Sequence, residues 1–524
     1  MSKLARSAGL IGAATMTSRV LAVARETVFA ALFGAGNAMD AYNVAFRVPN
    51  LLRDLFAEGA ISAAFIPTFT RHLASRGREA AWRLGNLVIN TLAVVTLACV
   101  VIGWWLAPEL ARWFAPEYAL VPGKLELTTL LTRIMLPFLT MIALGVVMMG
   151  MLNALGRFFI PAFSPAMFNI AMLLSAFTLV PLMPSLGWPP IAGLAIGTVL
   201  GGAGQILLQW PVLRREGWRY APVLDTRDPG LRDVMRLMAP GTLGLAAVQV
   251  NVFVNTVLAT GEGTGAVSWL NYAFRLMYLP IGLFGVSIGT AALPEISRHA
   301  ASSDLPAMRR TVSDSLRLML MLNVPATVGM MVLAHPIVAL LLERGSFGPA
   351  DTAATAAAVI CYAPGLLGYA VVKVASPTFY ALRDSRTPVI ISAVSVALNV
   401  ALNLALVRVA GFRGLALGTA IAATVNAALL LWLLRARIGG LDGRQNTRAF
   451  ILITIASVFM GVAAWGSQYG LEVALPGSGT LVRAVRVFSS IAIALAVLAG
   501  VARLLHIEEF TRALARVTSR LGMS

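Results

Sequence analysis

Polar side chains that could bind a ligand are concentrated near the amino terminus, inside stretches that are otherwise apolar. Five of them follow one another at intervals of four, three, four and four residues: Asn43, Arg47, Asn50, Asp54 and Glu58. Because an α-helix has about 3.6 residues per turn, these intervals predict one polar stripe along one face of a helix. Arg53 lies beside the stripe, and Pro49 within it is expected to kink the helix. Charges inside apolar helices usually face a cavity, so the stripe predicts a functional cavity.

Basic residues outnumber acidic residues in these apolar stretches. The basic set comprises Arg19, Arg25, Arg47, Arg53, Arg275 and Lys373, and the acidic set comprises Glu26, Asp54 and Glu58. Ion pairs that hold helices together could account for Asp54 and Glu58, but positive charge remains in excess. Buried positive charge requires an anion, and guanidinium groups suit bidentate contacts with phosphate. The sequence therefore favours a phosphorylated substrate over a purely structural role, although Lys373 alone could extend its amine to the membrane surface.

The composition indicates that this chain folds in lipid. Of its 524 residues, 58% are hydrophobic and 12% are charged, whereas a soluble domain has about 25% charged residues. The net charge of +18 is typical of cytoplasmic loops and lipid headgroup contacts, and no RNA-binding signature points to nucleic acid. Cys99 and Cys361 form no CxxC pair, and the four histidines have no metal-ligand or catalytic spacing. No cofactor or metal is therefore predicted.

Apolar stretches long enough to cross a bilayer recur along the whole chain, which predicts an all-α integral membrane protein with fourteen transmembrane helices. The predicted spans are 7–33, 41–70, 84–107, 127–155, 162–183, 190–213, 234–260, 266–293, 314–342, 354–382, 388–408, 414–435, 449–469 and 483–505. The first, second, seventh and eighth spans are less apolar than the others, which predicts that they face water or each other and not lipid. Arg19 and Arg25 interrupt the first apolar run, so it is predicted to be a retained helix and not a signal peptide.

Arginines between the spans predict the orientation of the chain. They are concentrated after the second, sixth and twelfth spans: Arg71, Arg76, Arg78 and Arg83; Arg214, Arg215, Arg219, Arg227, Arg232 and Arg236; Arg435, Arg437, Arg444 and Arg448. The positive-inside rule places these loops, and therefore both termini, in the cytoplasm. Arg408 and Arg413 fall on the outer side and are an exception to this pattern.

The two halves of the chain resemble each other at an offset of roughly 225 residues. Segment 43–47 matches 271–275, and segment 193–198 matches 414–419, with further matches in the same order between them. Each repeat holds six spans, and an even number preserves orientation. The sequence therefore predicts two parallel repeats, related by a pseudo-two-fold axis along the membrane normal, with the substrate site between them. The predicted lobes are 1–225 and 226–440, and 441–524 adds two further transmembrane helices and a cytoplasmic tail.

The residues around the polar stripe resemble the MurJ/MviN family of bacterial lipid II flippases, within the MOP transporter superfamily. The resemblance rests on three blocks: Thr17-Ser18-Arg19 through Arg25-Glu26, Phe46-Arg47-Val48-Pro49-Asn50-Leu51-Leu52-Arg53, and Phe56-Ala57-Glu58-Gly59-Ala60. It covers essentially the whole chain. The resemblance implies a monomeric, multi-pass protein of the bacterial cytoplasmic (inner) membrane. Its implied partners are lipid II and membrane lipids, with cell-wall synthesis proteins as further candidates.

The resemblance also implies roles for individual residues. Its cavity arginines correspond to Arg19, Arg25, Arg53 and Arg275, and its cavity acids correspond to Glu26, Asp40 and Glu58. Glu26 stands where aspartate is common in the family. The implied substrate is lipid II, an undecaprenyl pyrophosphate that carries the peptidoglycan disaccharide-pentapeptide. The basic cavity predicted from the residues alone agrees with this substrate.

The sequence departs from the family pattern at two places. Arg275 is flanked by Phe274 and Tyr278, where acidic neighbours are frequent in the family. Some members also have a sodium site built with aspartate on the seventh and eleventh helices, and the matching positions here are Asn255, Asn399, Asn403 and Thr419. Without a carboxylate a hard cation loses its strongest ligand, so sodium coupling is not predicted and the coupling ion is left open.

The resulting hypothesis is a flippase that works by alternating access, not an enzyme. An exporter of another polyprenyl-pyrophosphate-linked oligosaccharide is an alternative with the same fold, whereas a drug exporter would have a less basic cavity. A membrane-embedded transferase for lipid-linked sugars is a third possibility, and such chemistry usually needs paired acids near a metal or a general base. Asp225, Asp228 and Asp233 instead lie among arginines, which is typical of a solvated linker.

Overall fold

The structure, a computed structural model, describes residues 3–54 and 62–511, and within these ranges it contains helices and turns but no β-strand. This confirms the prediction of an all-α chain. The helices are α1 Lys3–Phe33, α2 Asn37–Arg53, α3 Ser62–Phe114, α4 Lys124–Met135, α5 Phe138–Ala154, α6 Phe159–Leu182, α7 Ala192–Arg215, α8 Pro229–Thr260, α9 Ala266–Pro280, α10 Val286–Ala301, α11 Leu305–Val332, α12 Ala334–Leu342, α13 Pro349–Tyr362, α14 Gly365–Ala381, α15 Arg386–Ala410, α16 Phe412–Arg437, α17 Gly443–Ala474 and α18 Thr480–Leu504.

Nine helical segments in the described ranges are long and apolar enough to cross a membrane, or ten if α13 and α14, which are bent by 45°, form one span. They coincide with ten of the fourteen predicted spans. The other four predicted spans fall on α1, α2, α8 and the α9–α10 pair. These are the four that the sequence marks as less apolar. The exact count of fourteen therefore stays a prediction, whereas a multi-pass membrane protein is established by length and composition.

A single glycine divides the longest helix, α3. The segment Ala64–Phe114, which contains a stretch apolar enough to cross a membrane, is 51 residues long, although a bilayer needs only about 20. Gly77 interrupts it with φ of 84° and ψ of 178°, a conformation that residues with a Cβ rarely adopt. The cytoplasmic loop predicted after the second span is thus helical on both sides of Gly77. Its arginines lie on these helical extensions.

The described chain divides into two compact units, and the first comprises residues 1–268 with 344–347. Within it, α6 and α7 approach closely because α7 carries glycines at every fourth position, a pattern that lets membrane helices pack tightly. A Cβ atom on any of them would lie 2.6 Å from an atom of α6: Val180 N for Gly193, Ser175 Cβ for Gly197 and Phe168 Cδ2 for Gly201. This packing fixes the register of α6, which also packs against α1.

The second unit comprises residues 269–343 and 348–524. Its core includes Met308, Val374 and Phe379, and a further apolar cluster joins α11 to the two last helices through residues such as Ile453 and Leu498. The boundary between the units falls after Ser268, so α8 packs within the first unit. The division at 225 and 440 rests on sequence repetition, a different criterion from packing, and it stays a prediction.

Candidate functional site

Arg25, on the buried side of α1, is held by a carboxylate and an amide. Its Nε and Nη2 atoms donate to the same oxygen of Glu26, Oε1, at 3.1 and 2.5 Å. Its Nη1 atom donates to Asn169 Oδ1 at 2.9 Å. The Arg25 and Glu26 side chains are only 13% and 12% exposed. An ion pair that is so well shielded from water keeps more of its strength than a surface pair.

Aromatic rings enclose the same guanidinium. Its carbon lies 5.8 Å from the centre of the Phe29 ring and 5.5 Å from that of Phe168, within the range of a cation–π interaction. Phe29 meets Tyr42 edge-on at 6.1 Å, and the Tyr42 hydroxyl shares a hydrogen bond of 2.9 Å with Thr198 on α7. Four helices, α1, α2, α6 and α7, therefore shape the surroundings of Arg25.

Arg53, at the end of α2, repeats the arrangement of Arg25. Its Nε and Nη2 atoms donate to one oxygen of the next residue, Asp54 Oδ1, at 3.1 and 2.9 Å. The second oxygen of Asp54 accepts a hydrogen bond from Gln249 Nε2 on α8 at 3.3 Å. These side chains are about a quarter exposed, more open than the pair on α1. In the first unit, Arg25 and Arg53 therefore each have a carboxylate at the Nε and Nη2 edge of the guanidinium, which is the edge that could bind a phosphate.

Asp40, near the start of α2, forms a fully buried ion pair with Lys124 at the start of α4, with 3.0 Å between Oδ2 and Nζ. Three more donors reach the Asp40 carboxylate: Gly265 N at 2.8 Å, Ser268 N at 3.1 Å and Ser268 Oγ at 2.7 Å. The Lys124 ammonium also lies 4.0 Å from the ring centre of Tyr118. Burial and the neighbouring Asp40 carboxylate both raise the pKa of the Tyr118 phenol, which is therefore neutral. In this structure the Asp40 carboxylate is enclosed by protein donors.

The other predicted site residues of the first unit have different surroundings. Asn43 is buried and donates to Ser268 Oγ at 3.2 Å, whereas Arg19, Arg47 and Asn50 are half-buried. Glu58 lies outside the described residues. The first unit therefore brings Arg25 and Glu26 together as a pair, and Arg53 and Asp54 as another.

Arg275 and Lys373 belong to the second unit, where both are half-buried. The aromatic neighbours of Arg275 form a cluster: Phe274 stacks on Tyr278 at 5.9 Å and meets Tyr362 edge-on at 5.6 Å. Phe274 and Tyr278, which flank Arg275 in the sequence, therefore contact each other in the structure.

The positions that correspond to a sodium site lie in both units. Asn255 is on α8 of the first unit, and the others form a hydrogen-bonded chain between α15 and α16 of the second. Asn403 Nδ2 donates to Asn399 Oδ1 at 3.2 Å, and Asn399 Nδ2 donates to Thr419 Oγ1 at 3.4 Å. In the described part of the chain no group of three or more His, Cys, Asp or Glu side chains could hold a metal ion.

Three buried residues that contact the predicted site were missed by sequence reasoning: Lys124, Asn169 and Gln249. Lys124 sits between spans on the predicted outer side, where basic residues are unusual, and that exception is a usable signal. Asn169 is an amide within an apolar span, which is a weaker signal of the same kind.

A multi-pass helical chain with arginine–carboxylate pairs inside its helices has the organisation of a membrane transporter. The family model of the lipid II flippase MurJ matches residues 29–477. A probable lipid II flippase MurJ of Vibrio cholerae is 35% identical over 82% of this chain and 82% of its own length. Its counterpart in Bdellovibrio bacteriovorus is 34% identical over 97% of this chain and 96% of its own length. The chain therefore belongs to the MurJ family of lipid II flippases, as the resemblance predicted.

Solved structures agree with this assignment at the level of the fold. A lipid II flippase MurJ in an inward-closed conformation has a TM-score of 0.76 and 24% identity, and the match covers 95% of this chain and 99% of that one. An inward-facing multidrug-resistance MATE transporter of the MOP superfamily has a TM-score of 0.68 and 18% identity, over 83% and 98% of the two chains. The prediction of a MOP-type fold is confirmed.

Proposed function

We propose that this chain moves lipid II from the cytoplasmic to the outer leaflet of the bacterial cytoplasmic membrane. Membership of the MurJ family supports the substrate. The observation in this chain that carries the proposal is the pair of shielded arginines, Arg25 and Arg53, each held against a carboxylate. A pyrophosphate is the part of lipid II that such arginines would recognise.

In this mechanism the pyrophosphate takes the place of the carboxylates. Glu26 and Asp54 each offer one oxygen to two nitrogens of the neighbouring arginine. A phosphate offers two oxygens to the same edge, in the parallel geometry that suits a guanidinium, and it carries more charge. Glu26 and Asp54 therefore keep the arginines neutralised while the carrier is empty, and the substrate displaces them on binding.

Transport follows by alternating access, in which the carrier exposes its site to one leaflet and then to the other. Arg19, Arg47, Asn50 and Glu58 are proposed to line the path of the headgroup. Arg275 and Lys373 are proposed to act on the same substrate, while the polyprenyl tail stays in lipid. A carrier whose arginines are balanced by their own carboxylates can return empty without moving a large unpaired charge through the membrane, which costs energy.

The proposed orientation puts both termini in the cytoplasm. The arginines that follow the second and sixth predicted spans support it, because Arg71, Arg76, Arg214 and Arg215 are exposed, as expected of residues that meet water and headgroups. A monomer, with cell-wall synthesis proteins as partners, remains part of the proposal. Cysteine substitutions near either terminus, labelled from each side of the membrane, test the orientation.

The substrate assignment is tested with purified protein in proteoliposomes. Vesicles that contain the protein are expected to transfer lipid II between leaflets faster than protein-free vesicles, measured by the access of an impermeant reagent to the headgroup. A second polyprenyl-pyrophosphate glycan serves as the comparison substrate. Transfer of that glycan without transfer of lipid II would identify an exporter of another glycan. Release of the headgroup would identify a transferase.

Replacing Glu26 with glutamine is expected to strengthen pyrophosphate binding. The Arg25 charge would then lack its carboxylate in the empty carrier, so inorganic pyrophosphate should bind about ten-fold more tightly and with a steeper dependence on salt. The matched control is Glu109→Gln, which removes the partner of Arg112 in an exposed pair. Unchanged affinity in Glu26→Gln would contradict the displacement of Glu26 by the substrate.

A further inference from the structure

The amide of Asn169 has a fixed orientation between α6 and α1. Its side chain lies on α6 and the residue is 5% exposed. The Nδ2 atom donates to Ser18 O of α1 at 3.0 Å and to Pro165 O at 3.3 Å. Because carbonyl oxygens only accept, both hydrogens of the amide are used there and Oδ1 must point the other way. Oδ1 is the atom that accepts from Arg25 Nη1 at 2.9 Å.

We infer that Asn169 is a positioning residue for transport, which holds the Arg25 guanidinium with its phosphate-binding edge directed to the substrate. The inference rests on the proposed function of Arg25. Asn169 acts through Arg25, so its effect on the substrate is an effect on the affinity for pyrophosphate.

The Phe29 and Phe168 rings alone would not hold the Arg25 guanidinium in one orientation. Phe29 and Phe168 lie 5.8 and 5.5 Å from the guanidinium carbon, but an attraction to a ring face does not stop the group from turning within its own plane. An acceptor at Nη1 stops this rotation and leaves the Nε and Nη2 edge where Glu26 now lies. A side chain that is already ordered loses less freedom when the ligand binds, which raises affinity.

The chemical type of residue 169 also matters. An amide oxygen accepts a hydrogen bond without cancelling the positive charge of Arg25, whereas a carboxylate at the same place would compete with phosphate. Glu26 and Asn169 thus have different tasks at one guanidinium. Glu26 is a displaceable counter-charge, and Asn169 is a neutral anchor that remains in place when the substrate binds.

A matched pair of variants separates positioning from packing. Asn90 has the same bonding pattern with partners that are not arginines: Nδ2 donates to Ala221 O at 2.8 Å and Val223 O at 3.0 Å, and Oδ1 accepts from the Tyr220 hydroxyl at 2.9 Å. Its exposure is 6%, close to that of Asn169. Asn169→Leu and Asn90→Leu therefore remove equivalent buried amides, and only the first contacts Arg25.

The experiment measures the binding of inorganic pyrophosphate to the purified full chain, together with its thermal unfolding. Both leucine variants are expected to unfold at lower temperature. Only Asn169→Leu should weaken pyrophosphate binding, by about ten-fold, equivalent to about 1.4 kcal/mol. Where the leucine variant does not fold, Asn169→Asp is used. It keeps the shape, but neither carboxylate oxygen can donate to Ser18 O and Pro165 O, so the fixed orientation of the side chain is lost. Its carboxylate also competes for Arg25, and pyrophosphate should therefore bind about ten-fold more weakly.

Arg25→Ala separates this inference from the proposed function. In that background Asn169→Leu should cause no further loss of affinity, because the two residues act through one group. Wild-type affinity in Asn169→Leu or Asn169→Asp, combined with weak binding in Arg25→Ala, would overturn the positioning role and leave the proposed function standing. Wild-type affinity in Arg25→Ala would overturn the phosphate site itself.

Discussion

Replacing Arg25 with alanine is expected to reduce lipid II transfer in proteoliposomes to the level of protein-free vesicles. Arg25 is 13% exposed and donates from three nitrogens to Glu26 and Asn169. Losing one member of a shielded, hydrogen-bonded charge pair costs about 2–5 kcal/mol of binding, so substrate affinity should fall on the order of 100-fold. The variant would also leave Glu26 without its counter-charge, which adds repulsion towards the phosphate.

One further variant distinguishes the geometry of Arg25 from its charge, and a second serves as the control. Arg25→Lys keeps the positive charge but presents a single ammonium, which cannot match two phosphate oxygens in parallel. Intermediate transfer is therefore expected. Arg133→Ala is the matched control, because Arg133 also lies on a helix of the first unit and over an aromatic ring, Trp104, at 4.6 Å. The Arg133→Ala protein should transfer lipid II at the wild-type rate. If the Arg25→Ala protein also transferred lipid II at the wild-type rate, Arg25 would have no part in the mechanism.

The sequence predicted the helical architecture well because the signal is local. A stretch of about 20 apolar residues predicts a membrane helix whatever surrounds it. The same reasoning identified the less apolar spans, because charged residues in α1 and α2 lower the mean hydropathy of these helices. The break at Gly77 was not predicted. The residues around it are polar enough for a loop, and only the folded chain shows that helices continue on both sides.

The site residues stay predictions, and there is a physical reason why the sequence did not give their partners. Spacing alone placed Asn43 and Asp54 on one helix face, but their partners Ser268 and Gln249 are 225 and 195 residues away. Periodicity carries no information on which distant side chain a polar residue meets. The carboxylate–arginine pairs are local, since each joins neighbouring residues, yet neighbours in a helix do not normally face each other. The side-chain conformations of each pair bring the arginine and the carboxylate together, and no rule of sequence spacing predicts these conformations.

Asp40 and Lys124 illustrate the same limit. The resemblance implied a cavity acid at Asp40, and no motif singled out Lys124, 84 residues further along the chain. The structure joins them in a pair with side chains 0% and 2% exposed. An ion pair this deeply buried is costly to dehydrate and is tolerated only where further hydrogen bonds satisfy the charges. Gly265 and Ser268 supply those bonds to Asp40.

Replacing Lys124 with methionine is therefore expected to destabilise the protein strongly. Methionine fills a similar volume but leaves the Asp40 carboxylate buried without a cation, and breaking a buried pair from one side typically costs about 3–5 kcal/mol. The measurement is the midpoint of thermal or denaturant unfolding of the purified chain. Arg112→Met is the matched control, because it breaks an exposed pair with Glu109, which should change stability by no more than about 1 kcal/mol.

A second substitution is expected to restore much of the stability lost in Lys124→Met if the loss is caused by the uncompensated charge of Asp40. In the double variant Asp40→Asn with Lys124→Met, the amide oxygen can still accept from both Ser268 donors, which bind Oδ1, whereas the bond from Gly265 N to Oδ2 is lost, and no charge is buried. The double variant should therefore be more stable than Lys124→Met alone, although two polar contacts are weakened. Equal instability in both would show that Lys124 matters through its packing on Tyr118, 4.0 Å from its ammonium, and not through Asp40. Because Asp40 is bound by Lys124 on α4 and by Gly265 and Ser268 at the start of α9, the comparison also measures how firmly α2, which carries Arg53, is held in the first unit.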